Sequence, residues 1–257
     1  MVTDVIARLS RGTGQRPLVL GHRGARHAAP ENTQRAFELA QREGADGVEL
    51  DVRLAQSGEV IVLHDPALSR VTRDSDARMV ENMTYADIKR VDVGAGERVP
   101  LLAEVLDWAS RAALILNVEL KADVRRRRDL LAAVISLLVK HPYRTRGVVL
   151  SSFDPRFVWR LSRALPDVPV SFLFHTRSPL ARAAAFVGAR SFSRLGARGM
   201  HPEQVLVTEQ RLRSWRELAP LIGVWTVNDE ARARELSALG VDYLISDRPS
   251  AILSAVT

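Results

Sequence analysis

Cysteine is absent from the 257-residue chain. That excludes disulfides, a thiol nucleophile and thiolate metal sites, and leaves oxygen and nitrogen as the ligands on offer. Long apolar runs are absent too. The longest, Leu130–Val139, is about half of what a membrane span needs, and Met1–Ser10, with Asp4 and Arg8, lacks the continuous apolar stretch of a signal peptide. A cytoplasmic protein without a membrane span is expected. Aromatic residues are scarce at 5%, so no stacking platform for single-stranded nucleic acid is evident. Lysine is nearly missing: Lys89, Lys121 and Lys140 stand among 37 basic residues, the other 34 being arginine. Genome composition produces a bias of this kind, and the arginines are scattered apart from Arg125–Arg128. The formal charge of +7 therefore argues for a small anionic substrate rather than nucleic acid. The sequence carries no sign of an oligomeric state.

What is present is ordinary for a globular fold: 46% hydrophobic and 26% charged residues. Residues 1–257 read as one domain, with no linker or repeat dividing it. Short β-like runs alternate with longer helical patterns. Strands are expected at Leu18–His22, Val48–Val52, Leu114–Leu120, Val148–Ser151, Val170–Phe174, around Met200–Val207, Gly223–Val227 and Tyr243–Ser246. Helices are expected at Thr33–Arg42, Leu101–Ser110, Arg126–Lys140, Pro155–Ala164, Leu180–Phe186, Glu209–Leu218, Asp229–Leu239 and Ala251–Val256. Eight strand–helix units in this length suit an α/β fold of the (β/α)8 TIM-barrel type. The open doubly wound alternative would want a G-x-G-x-x-G loop, which Gly21-His22-Arg23-Gly24 is not.

About residues 53–100 break the rhythm and read as a small insertion after the second barrel strand. Glu59–Leu63 is another β run, joined to Leu50–Leu54 through Ser57-Gly58. A two-residue turn there would pair Gln56 with Glu59 and set Asp51 opposite His64. The remainder, Pro66–Val99, is expected over the barrel mouth.

The sharpest chemical signal is Glu49-Leu50-Asp51. On a strand both carboxylates point one way, while Val48, Leu50 and Val52 point the other. Two like charges so close raise one pKa unless a cation intervenes, either a divalent ion or a neighbouring arginine. Asn117-Val118-Glu119-Leu120-Lys121 repeats the pattern. Glu119 either completes an oxygen site suited to Ca²⁺ or Mg²⁺ or pairs with Lys121, which otherwise is free for a phosphate oxygen. His22 and His64 each close a strand and are candidates to divide acid and base roles. Arg23 can grip a phosphate bidentately. Asn32 reads as a helix cap, Glu31 as support for the site, and Asp123 as the cap of the helix after the arginine run. Gly21 and Gly24 would let backbone approach a ligand. Arg26, His27 and His175 read as surface residues. Trp225 is either an apolar wall for substrate, if inward, or packing, if outward.

Taken together, His22-Arg23-Gly24, Pro30-Glu31-Asn32-Thr33, Glu49-Leu50-Asp51-Val52, Val62-Leu63-His64-Asp65, Leu116–Lys121, Trp225-Thr226-Val227-Asn228 and Asp247-Arg248-Pro249 resemble the glycerophosphodiester phosphodiesterase family. The resemblance runs from Leu20 to about Pro249. It implies a TIM barrel with an insertion after the His64 strand. It also implies one divalent cation on Glu49, Asp51 and Glu119, His22 and His64 as a proton-transfer pair, and Arg23 and Lys121 near the phosphate. The activity expected is hydrolysis of a glycerophosphodiester to glycerol 3-phosphate and an alcohol. The alternatives are a lysophospholipase D or sphingomyelinase D-like action on lipids, or a non-catalytic basic binding protein on the same barrel.

Overall fold

The computed structural model describes residues 2–12, 14–177 and 194–257. Eight parallel strands form a closed barrel: β1 (Leu18–His22), β2 (Gly47–Leu54), β4 (Ile115–Leu120), β5 (Val148–Ser152), β6 (Val170–Phe174), β7 (Gly199–Pro202), β8 (Leu221–Val224) and β9 (Tyr243–Ser246). Closure comes from β1, which pairs with both β9 and β2. A barrel has no free edge, and each strand is covered on both faces. Outward residues such as Val48, Leu50, Val52, Val118 and Leu150 pack beneath the surrounding helices in one large apolar cluster. The inward set alternates with them, so Glu49, Asp51, Asn117 and Glu119 face the barrel axis. The expected helix at Leu180–Phe186 lies outside the described residues. Among those described, no helix is long and apolar enough to cross a membrane.

Val2–Leu9 is a helix for which the sequence reading had no element. Eight residues are too few to form a helix alone; docking stabilises this one. Val5 and Leu9 pack against Leu20, Ile115, Val149, Leu221 and Tyr243, closing the end of the barrel where the strands begin. The chemistry is confined to the opposite end.

β3 (Val60–Val62) lies antiparallel to β2, but the register differs by one residue from the expected pairing. Leu54 faces Val60, and the Ala55 N–H donates to the Glu59 carbonyl at 2.9 Å. The turn holds three residues rather than two, with Gly58 at φ +102°. Leu63 therefore donates to the Asp51 carbonyl at 2.9 Å, where His64 was expected. His64 escapes the consequence of this slip because the strand ends at Val62 and alternation ends with it. The insertion beyond it has a core of its own, built from Leu63, Leu68, Val80, Met83, Ile88 and Val99. None of Pro66–Val99 lines the central cavity.

Three local expectations need correction. Asn32 has φ +57° and does not cap the following helix, Gln34–Arg42; Thr33 does, accepting from the Ala36 N–H. Asp123 caps no helix but pairs with the buried Arg53 at 2.8 Å, and Arg53 in turn donates to the His64 carbonyl at 2.7 Å. Gly24 (φ +82°) serves helix packing rather than a ligand, since a Cβ there would lie 2.5 Å from the Ala36 carbonyl carbon.

Candidate active site

At the end of the barrel where the strands finish, a cavity of about 120 Å³ is lined by His22, Arg23, Glu49, His64, Asn117, Glu119, Lys121, Ser151, Phe153, Leu173, Trp225 and Ile245. Asp51 lies at its base, almost fully buried. The register explains the convergence: Asp51 is level with Glu119, and Glu49 with Asn117, on adjacent parallel strands. One oxygen from each of Glu49, Asp51 and Glu119 falls within 4.8 Å of the others.

Two cationic side chains hold this group. Lys121 Nζ lies 3.3 Å from Asp51 Oδ1 and 2.8 Å from Glu119 Oε1, and Arg23 Nε lies 3.1 Å from Asp51 Oδ2. Asn32 Nδ2 donates to Asp51 Oδ2 at 2.9 Å, and the Arg23 backbone N–H donates to Glu49 Oε2 at 3.0 Å. Burial works against the charge on Asp51, but Lys121 and Arg23 beside it hold its pKa well below the usual carboxylate range. Burial also opposes the charge on Lys121, yet Glu119 and Asp51 keep its pKa raised. Glu49 fares differently. Burial and the neighbouring Asp51 and Glu119 push its pKa well up.

The two histidines are mounted alike. His22 Nδ1 faces Asp247 Oδ1 at 2.6 Å, and His64 Nδ1 faces Asp65 Oδ1 at 2.5 Å. A carboxylate at Nδ1 fixes the proton there and leaves the Nε2 lone pair available. His22 Nε2 points toward Glu49, at 3.9 Å. Burial lowers both imidazole pKa values, partly countered at His22 by Asp247 and at His64 by Asp51. Trp225 points inward, donating from Nε1 to the His201 carbonyl at 2.7 Å and meeting Phe153 edge-on at a centroid distance of 5.5 Å.

The glycerophosphoryl diester phosphodiesterase family profile matches residues 22–251. A glycerophosphodiester phosphodiesterase of Caldanaerobacter subterraneus subsp. tengcongensis is 27% identical over 93% of this chain and 97% of its own. An Oleispira antarctica phosphodiesterase, solved in complex with the product sn-glycerol-3-phosphate, superposes with a TM-score of 0.82 at 26% identity, over 94% of this chain and 97% of that one. The glycerophosphodiester phosphodiesterase of Thermotoga maritima gives 0.74 at 27% identity, over 93% and 98%. This chain belongs to the glycerophosphoryl diester phosphodiesterase family. It is an enzyme, a phosphoric diester hydrolase.

Within that family frame, the donor set suits a hard divalent cation. Three carboxylates share two cationic side chains, one of which, Arg23, also serves Glu31, so the group is short of positive charge. Asn117 Oδ1, beside this group, is buried without a hydrogen-bond donor. A buried acceptor left bare in this way is costly, and oxygen-coordinated Ca²⁺ or Mg²⁺ would satisfy it.

Several residues that shape the site escaped sequence reasoning. Asp247 was seen only as part of a motif, yet it carries His22 and is itself held by Asn228 Nδ2 at 2.7 Å. Asp65 carries His64. Phe153 and Leu173 extend the Trp225 wall. Glu31, expected in a supporting role, accepts from Arg23 Nη1 at 2.8 Å, and Arg23 with Arg70 beside it drives its pKa down to about 2 against the effect of burial. Of the residues read as surface, Arg26 Nε approaches Asp247 at 3.5 Å and His175 packs on Phe153 at 5.5 Å.

Proposed function

We propose that this enzyme hydrolyses glycerophosphodiesters to glycerol 3-phosphate and an alcohol, with one divalent cation, Ca²⁺ or Mg²⁺, on Glu49, Asp51 and Glu119. The observation that carries this reading is the approach of those three carboxylates to within 4.8 Å on one cavity that two imidazoles also line. When bound, the cation supplies Lewis-acid polarisation of the phosphoryl group.

The remaining chemistry belongs to side chains. Arg23 and Lys121 attract the diester's negative charge and share what builds up in the transition state. One imidazole accepts the proton of the attacking hydroxyl, either the substrate's own 2-hydroxyl or water, as the new P–O bond forms. The other donates a proton to the alkoxide as the old P–O bond breaks. Asp247 and Asp65 hold the Nδ1 proton on both rings, so that Nε2 accepts a proton on the ring that starts neutral and donates one on the ring that starts as the imidazolium. Trp225, with Phe153 and Leu173, offers an apolar wall to the carbon skeleton.

The test is release of glycerol 3-phosphate from several glycerophosphodiesters, before and after exhaustive chelation and with each metal restored. Turnover lost on chelation and recovered with Ca²⁺ or Mg²⁺ is expected. Undiminished turnover in the chelated enzyme would remove the cation from the scheme, and no release from any diester would remove the activity.

A further inference from the structure

We propose that Arg70, on the insertion, is a positioning residue that holds both His64 and Arg23 in their working orientations; this builds on the roles assigned to those two residues above. Arg70 Nη1 donates to Glu31 Oε2 at 2.7 Å, Nη2 donates to Glu31 Oε1 at 2.8 Å, and Nε donates to Asp65 Oδ2. From that fork two lines run into the cavity. Asp65 meets His64 Nδ1 at 2.5 Å, and Glu31 meets Arg23 Nη1 at 2.8 Å. Arg70 itself does not line the cavity, and its side chain is 45% exposed.

The two histidine mounts make the comparison. On one side the carboxylate behind the imidazole, Asp247, is tied by Asn228 at 2.7 Å. On the other, the only partners of Asp65 among the described residues are His64 and Arg70. Without Arg70 the Asp65 carboxylate is free to turn, and His64 loses the partner that selects its tautomer. Isolated surface pairs do little, but a guanidinium bridging two carboxylates through three of its nitrogens is a geometric clamp that an ammonium cannot copy. The segment bearing Arg70 is firmly seated. Leu68 is fully buried in the insertion core, and Thr72 Oγ1 donates to the Leu68 carbonyl at 3.0 Å and accepts from the Asp76 N–H at 3.1 Å. The insertion thereby becomes part of the active site without touching substrate.

The experiment compares wild type, Arg70→Lys and Arg70→Ala in the full chain. Thermal melts establish that each variant is folded. Glycerol 3-phosphate release should fall on the order of 10²-fold in Arg70→Ala, the size expected when reacting groups drift by about an ångström. Arg70→Lys should recover little of it. Added guanidinium ion should restore turnover in Arg70→Ala while leaving wild type unchanged, which a merely structural role would not produce. Independently of turnover, ¹⁵N NMR should show His64 as a single Nδ1–H tautomer in wild type and as a mixture in Arg70→Ala. Wild-type turnover in folded Arg70→Ala, or an unaltered His64 tautomer there, would overturn the proposal. A wild type inactive on every diester would instead remove the activity proposed above, and the tautomer measurement would still decide the role of Arg70.

Discussion

Asn32 reaches from a left-handed turn after β1 to donate to Asp51 Oδ2 at 2.9 Å, and its Oδ1 accepts the Asp51 backbone N–H at 3.3 Å. One amide thus fixes both the strand position and the carboxylate rotamer of a proposed cation ligand. Groups that orient metal ligands in this way typically govern affinity by 10–100-fold. Asn32→Ala should weaken Ca²⁺ or Mg²⁺ binding by about that factor, as measured by the metal concentration giving half-maximal turnover. An unchanged metal dependence would show that Lys121 and Arg23 suffice to hold Asp51.

His22→Ala and His64→Ala should each lower kcat by on the order of 10²-fold or more, because each removes one of the two proton transfers. KM should move much less, since neither ring supplies the main attraction for the phosphate. Steady-state kinetics on variants with unchanged circular dichroism make the test. A variant that kept wild-type kcat would release that histidine from proton transfer.

Much of this site was legible because a strand has period two. Once Glu49 and Asp51 share a face, and Asn117, Glu119 and Lys121 share the next, parallel register brings them together without further information. The same logic gave the barrel, since eight short apolar runs separated by helical ones have few ways to bury both faces. What could not be read were relationships made across loops. Asp247 meets His22 across 225 residues, and no local pattern marks one aspartate in an Asp-Arg-Pro turn as that partner. The hairpin register slipped because two- and three-residue turns ending in glycine look alike in sequence, while the backbone at Gly58 chooses the longer. Asn32 was misread for a related reason. Its short amide suits a helix cap as well as a left-handed turn, and only the position of Asp51 decides between them.

Stability should fall with acid partly through one histidine outside the proposed proton-transfer pair. His201 is fully buried inside the barrel with Nε2 against the Tyr243 hydroxyl, and burial drives its pKa down to about 3 from 6.5. Below pH 6.5 the unfolded chain binds a proton that the folded one refuses. Its contribution is therefore whole above pH 6.5 and is lost as the pH falls toward 3, by about 1.4 kcal/mol for each pH unit. Urea midpoints for wild type and His201→Gln, followed from pH 7 to pH 4, should diverge accordingly, with the variant less acid-sensitive. Parallel curves would show that His201 takes up its proton without unfolding.

The same interior favours glycine at position 223 on β8. Tyr243, level with it on β9, turns its ring into the space where a side chain would stand, and a Cβ on Gly223 would lie 2.1 Å from Tyr243 Cε2. The ring has little room to retreat, being fully buried with its hydroxyl held by His201. Overpacking of this kind costs roughly 1–3 kcal/mol. Gly223→Ala should lower the unfolding free energy by about that amount in urea titrations, and combining it with Tyr243→Leu should cost less than the two changes taken separately, because the smaller side chain vacates the contested volume. Residues in contact are where such coupling appears. Strictly additive losses would mean that the strands, rather than the ring, absorb the added methyl group.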